Sequence, residues 1–160
     1  MKSFYIFSTI FTLFCNFFVF FRLSLTFLAD YDILMVKAQR KKGNDIMPFI
    51  DTKLNFRLSE EKEQALKTRL GEAIGIFPGK SEYWLMLNFT DNCRMWFRGY
   101  RNFPIAMVEV KLFGTASDES CAEMTRTITR IFQEELALSA DRIYVKYEFC
   151  DHWGWSGENF

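Results

Sequence analysis

Two hydrophobic patterns divide this chain. Residues 3–21, SFYIFSTIFTLFCNFFVFF, run without a charge, and after Arg22 the apolar character resumes in LSLTFLA. From Met47 onward the pattern alternates. Phe49–Phe56, FIDTKLNF, has the two-residue period of a strand. Ser59 then opens a helix, with Glu60 and Glu61 in the first turn, where the macrodipole favours acids. Leu66, Leu70, Ala73 and Ile74 recur at helical spacing, and Gly75 is a stop signal. Pro78-Gly79 marks a turn. The near-continuous apolar run Tyr83–Phe89, YWLMLNF, predicts a strand covered on both faces. Asn92 to Pro104 reads as irregular, with room for a short strand.

The order then repeats. AMVEVKL at Ala106–Leu112 reads as a strand, Asp118 opens a helix carrying Met124, Ile128, Ile131 and Phe132, and IYVKYEF at Ile143–Phe149 reads as a further strand. The second unit overlies the first at a shift of about 58 residues, with Ile50–Leu54 over Val108–Leu112. A duplicated strand-helix-strand predicts an α+β domain with a four-stranded mixed sheet and two helices on one face. Right-handed crossovers make the strands within each unit parallel. The expected second sheet face is apolar and uncovered, which points to self-association.

Composition adds limits. The chain has 160 residues, sized for one domain with an appendage. Lys plus Arg and Asp plus Glu both number 20, which argues against a nucleic-acid partner. The arginines Arg94, Arg98 and Arg101, beside Trp96 and Tyr100, read as a solvated loop for the same reason. Cys15, Cys93, Cys121 and Cys150 have no C-x-x-C spacing, so they read as thiols of a reduced compartment. His152 is the single histidine, and with Cys150 alone it is too small a ligand set for a closed metal site.

Residues 1–46 differ in composition from residues 47–160 and end in a polar linker, AQRKKGNDI. Three readings are open for this hydrophobic extension. It is a signal-anchor helix long enough to span a bilayer; a cleaved signal peptide, with Val36-x-Ala38 as the cleavage-like pattern; or a segment placed ahead of the true start at Met47. As an anchor, its downstream basic residues Arg22, Lys37, Arg40, Lys41 and Lys42 keep the domain cytoplasmic. The sequon Asn88-Phe89-Thr90 matters only in a secretory lumen. The choice bears on chemistry, because a proline at a free N-terminus is a basic secondary amine, whereas within a chain its nitrogen is an inert tertiary amide.

The stretches MPFI, PGKSEYWLML, PIAMVEVKLFG, LSADRIYVKY and GWSGENF, in that order from Met47 to Phe160, resemble the macrophage migration inhibitory factor family of the tautomerase superfamily. The resemblance implies duplicated β-α-β units, homotrimers with active sites between subunits, no cofactor, and keto-enol tautomerisation of phenylpyruvate-like acids by an N-terminal proline. It assigns Pro48 as the catalytic base and Lys80 as the receiver of the substrate carboxylate. Phe113 stands where a backbone N–H points into the site. Tyr144 lines the pocket from the neighbouring subunit, and Trp155 and Phe160 form an aromatic pair at the mouth. Lys146 takes a place where vertebrate members have Asn, and Ile105 and Val108 occupy the positions of their C-x-x-C. The chemistry is physically sound: an α-amine starts near ~8, an apolar pocket and a nearby cation lower it, and a base near ambient pH abstracts a proton beside a carbonyl. A protein-binding module of the cytokine kind, with a receptor as partner and little catalysis, is the alternative.

Overall fold

The structure is a computed structural model and describes residues 47–159. The readings made for residues 1–46, Cys15 and Phe160 lie outside the described residues. Strand β1 (Pro48–Leu54) buries alternate residues, so Pro48, Ile50, Thr52 and Leu54 face one side. Helix α1 (Glu60–Ala73) starts where Ser59, in extended conformation, accepts the Lys62 N–H on its hydroxyl at 3.3 Å. It buries Leu66 and Leu70, then tightens into a single 3-10 turn at Ile74–Ile76. The strand expected from Tyr83 begins later. Glu82–Trp84 forms a 3-10 turn, and β2 is Met86–Thr90.

The second unit follows the same plan. Strand β3 (Ala106–Phe113) alternates as β1 does. Helix α2 (Asp118–Leu136) is capped by Ser117, which accepts the Ser120 N–H at 3.2 Å, and ends at Ala137 in the left-handed conformation, φ 53°. Its Met124, Ile128, Ile131 and Phe132 are buried. Strand β4 (Ile143–Cys150) precedes a small hairpin of β5 (Gly154–Trp155) and β6 (Glu158–Asn159). Between β2 and β3 the one strand-like feature is an isolated bridge, Phe97 with Tyr100. Among the described residues no helix is long and apolar enough to cross a membrane.

The sheet order is β2-β1-β3-β4, with β1–β2 and β3–β4 parallel and β1–β3 antiparallel. In the central pair Asp51 faces Glu109, and these two residues are also equivalents under the sequence repeat. The halves are therefore related by a near two-fold axis passing between these acids. The core lies between sheet and helices and holds Ile50, Leu54, Leu66, Leu70, Val108, Val110, Leu112, Met124, Ile128 and Phe132.

Two expectations fail for one physical reason. Strand β2 is not covered on both faces: it is an edge strand, and Met86 is 66% exposed. Nor is the open face of the sheet apolar. Alternation sends the aliphatic residues of β1 and β3 to the helices and leaves Asp51, Lys53, Glu109 and Lys111 outward, beside Lys146 and Glu148 of β4. These charges pair within and across strands: Lys53 with Asp51 of its own strand (3.0 Å) and Glu109 (3.3 Å), Lys146 with Glu109 (3.2 Å) and Glu148 of its own strand (3.4 Å). Asn88 donates to Asp51 at 2.7 Å. The apolar part of this face is left to Phe49, Met86, Met107, Phe113 and Tyr144, which alternate with the charges.

Candidate active site at the end of β1

Pro48 is the first residue of β1 and is buried, opposite Leu112 in the antiparallel register. The next residue of β3, Phe113, offers its carbonyl oxygen to Lys80 Nζ at 3.1 Å. Lys80 is placed by a turn in which Pro78 and Gly79 hold the central positions. Gly79 has φ 79°, and the Lys80 N–H closes the turn on Phe77 O at 3.0 Å. A left-handed residue at that point is what glycine supplies without strain. Lys80 is only 8% exposed, rare for a lysine. Beside it opens a cleft of ≈ 420 Å³ lined by Phe77, Lys80, Leu112, Thr115, Ser117 and Ser120 among others. Pro48, Lys80 and Phe113 are thus brought to one end of the sheet.

Met47 precedes Pro48 with φ 66°, a left-handed conformation that a non-glycine residue seldom takes. Trp155 meets the Trp84 ring edge to face at 5.6 Å. Trp84 in turn meets Tyr83 at 4.8 Å. Sequence reasoning missed these two aromatics by placing them in a strand. The Pro78-Gly79 turn that sets the loop was the available signal. Phe77, a wall of the cleft, was also missed. Its ring meets Tyr147 at 6.2 Å, and Tyr147 is anchored by donating to Cys121 O (2.8 Å) and bonding Thr125 Oγ1 (2.9 Å). Burial pushes the Tyr147 phenol above its ordinary value, against the Thr125 hydrogen bond.

Tyr144 and Lys146 stand apart from this end. Tyr144 pairs with Met107, five residues along β3 from Leu112, or about 17 Å at strand spacing. It is 59% exposed and packs edge-on against Phe97 at 5.2 Å. Lys146 pairs with Glu109 in the ladder of charges. Hydrogen bonding to Glu109, with Glu148 adding to it, raises the Lys146 ammonium above its ordinary value. The Glu109 carboxyl is held low by Lys146 and Lys53. Burial pushes Asp51 upward, but its bonds to Asn88 and Lys53 outweigh that and keep it low. One copy of the chain therefore brings Pro48, Lys80 and Phe113 to one end of the sheet, sets Trp155 against Trp84, and presents Tyr144 and Lys146 on another part of the open face. Among the described residues no three His, Cys, Asp or Glu side chains gather as a metal-holding group.

The fold has counterparts among known proteins. The sequence model of macrophage migration inhibitory factor (MIF) matches residues 47–160. The crystal structure of Leishmania major MIF2 is 32% identical, with a TM-score of 0.67, covering 72% of this chain and 98% of that one. A macrophage migration inhibitory factor homologue from Prochlorococcus marinus is 26% identical, with a TM-score of 0.59, over 70% of this chain and 98% of its own. The factor from Oncomelania hupensis shares the fold at 20% identity and a TM-score of 0.60, over 70% and 81% of the two chains. No curated protein matches the chain. By its residues 47–160, this chain belongs to the macrophage migration inhibitory factor family.

Proposed function

We propose that the domain is a keto-enol tautomerase of aromatic 2-keto acids, with Pro48 as base when its nitrogen is the free N-terminus. The observation that carries the reading is the placement of Pro48 opposite Leu112, one residue from the carbonyl that holds the buried Lys80, with Leu112 and Lys80 both lining an open cleft. A free prolyl amine starts near ~8, and apolar walls with a neighbouring ammonium lower it, so a neutral nitrogen is present at neutral pH. That nitrogen takes the proton from the carbon next to the ketone. The C–H electron pair becomes the carbon–carbon double bond, the ketone oxygen gains the negative charge, and a proton delivered there completes the enol. Lys80 faces the substrate carboxylate and offsets the growing charge. In this reading three copies assemble, and a neighbour's Tyr144 and Lys146 complete the site, because one copy holds them too far from Pro48. Residues 1–46, where retained as an anchor, hold the domain at the cytoplasmic side of a membrane.

The test is phenylpyruvate tautomerisation by protein beginning at Pro48, compared with chain shown by mass to retain residues 1–46. Activity in the first alone supports the reading, and equal activity in both removes Pro48 as the base. A protein-binding role without catalysis is the second reading. It is favoured by one fact: in the chain as written, the Pro48 nitrogen is acylated by Met47.

A further inference from the structure

The turn that carries Lys80 is held at its two ends. Pro78 and Gly79 are exposed, whereas Phe77 and Lys80 on either side of them are buried. The Phe77 N–H donates to Ile74 O at 3.1 Å, and the Phe77 carbonyl accepts the Lys80 N–H at 3.0 Å. Phe77 is thus the base on which the lysine stands. Tyr147 meets its ring nearly edge-on, with centroids 6.2 Å apart and 71° between the planes.

Tyr147 belongs to β4, where it pairs with Val110 and packs against the core on the helix side of the sheet. Cys121 and Thr125 stand about one turn apart on α2, so both reach its phenol. The phenol has one proton to give. It donates that proton to Cys121 O at 2.8 Å, so across the 2.9 Å contact the Thr125 hydroxyl is the donor and the phenol oxygen the acceptor. The ring cannot swing away from Phe77 without breaking both bonds. Contacts therefore run from α2 through Tyr147 and Phe77 to Lys80, and on to Phe113 O.

We propose that Tyr147 is a positioning residue for Lys80: its ring, anchored on α2, braces Phe77 and so holds the lysine ammonium where a substrate carboxylate meets it. Tyr147 stands apart from the proton transfer itself. It lies two residues, about 7 Å, along β4 from Phe149, which pairs with the same Leu112 that faces Pro48. Apolar packing alone would be met by phenylalanine. What the hydroxyl adds is a fixed place for the ring. The inference rests on the tautomerase reading for the carboxylate, and it adds to that reading the residue that keeps Lys80 in place.

The test is Tyr147→Phe, which keeps the ring and removes its anchor. In the full chain, hydrogen exchange at the Lys80 amide, read by mass spectrometry, should quicken about fivefold, the scale of one lost hydrogen bond. Kinetics use protein beginning at Pro48, which contains the whole described core from Ile50 to Ile143. There KM for phenylpyruvate should rise about fivefold, with kcat within about twofold of the parent and turnover of the matching ester unchanged. In a Lys80→Ala background Tyr147→Phe should add nothing, because its effect passes through the lysine. Val145→Ala, two residues away on the same face of β4, is the control: it should lower the urea midpoint and leave the acid-to-ester preference as it was. A Lys80 amide that exchanges as in the parent, equal losses on acid and ester, or losses that add to those of Lys80→Ala would each overturn the proposal. Exchange separates it from the tautomerase reading: if protein freed at Pro48 leaves phenylpyruvate unchanged, the catalytic role fails, and the Lys80 amide still decides whether Tyr147 braces the turn.

Discussion

Lys80 donates from Nζ to the carbonyl oxygen of Phe113 over 3.1 Å, tying the loop of the first strand-helix-strand unit to the last residue of β3 in the second. The bond holds a buried lysine near the start of β1, where Pro48 is the first residue of the strand.

Lys80→Ala should weaken turnover of keto acids more than that of their esters. If the ammonium faces the carboxylate, only the acid loses a charge partner, and the loss should appear as a drop in kcat/KM of about 100-fold, the scale of one charged contact. Steady-state kinetics on a matched acid and ester decide it. Equal losses for both would detach Lys80 from the carboxylate.

Adding one alanine ahead of Pro48 should abolish most activity while leaving the fold and assembly unchanged, because the amine becomes an amide. Pro48→Gly at a free N-terminus should keep part of it, since a primary amine remains. Both are read by phenylpyruvate turnover, with mass spectrometry fixing the first residue.

Thr52 is fully buried, and its hydroxyl oxygen has no hydrogen-bond partner among the described residues. Thr52→Val replaces that group with a methyl of similar shape and should stabilise the domain by about 1 kcal/mol. Thr52→Ser, which keeps the hydroxyl and loses the methyl, should destabilise it. Urea denaturation of the pair checks the sign.

Glu109 has a carboxyl depressed by hydrogen bonds to Lys146 and Lys53. A depressed acid contributes stability that is present above its unfolded value near ~4.3 and lost as pH falls through its lower folded value. The stability gap between the parent and Glu109→Gln should therefore be widest near neutral pH and should close on acidification below about pH 4. A gap independent of pH would mean the ladder contributes nothing through charge.

The duplicated plan was legible because periodicity survives in single residues. Leu66 and Leu70, then Ile128 and Phe132, fall on the buried faces that their spacing predicts. Pro48, Lys80 and Phe113 were legible through ordered resemblance, and the fold groups them. Tyr83 and Trp84 were misread because an apolar run carries no sign of whether its aromatics face a core or a neighbouring ring such as Trp155. The ladder around Glu109 was missed although its residues stood in plain alternation. Apolar partners were counted on both faces when the repeat had already assigned them to one. The pairing of Phe97 with Tyr144 lies beyond local pattern, since 46 residues of chain separate them and only the sheet's order brings them together.

The near two-fold axis between Asp51 and Glu109 has a consequence for how many sites such a sheet can hold. Its equivalent halves begin at Pro48 and at Ala106, at opposite ends of the β1–β3 pair. The β1–β3 pair has two equivalent strand starts, but a polypeptide has one beginning. Ala106 is joined by a peptide bond to Ile105 and can never present an amine. Under the proposed function, covalent continuity rather than shape then limits each copy to one basic prolyl nitrogen, and near the other end Asn55 fastens the segment that carries the Phe97–Tyr100 bridge.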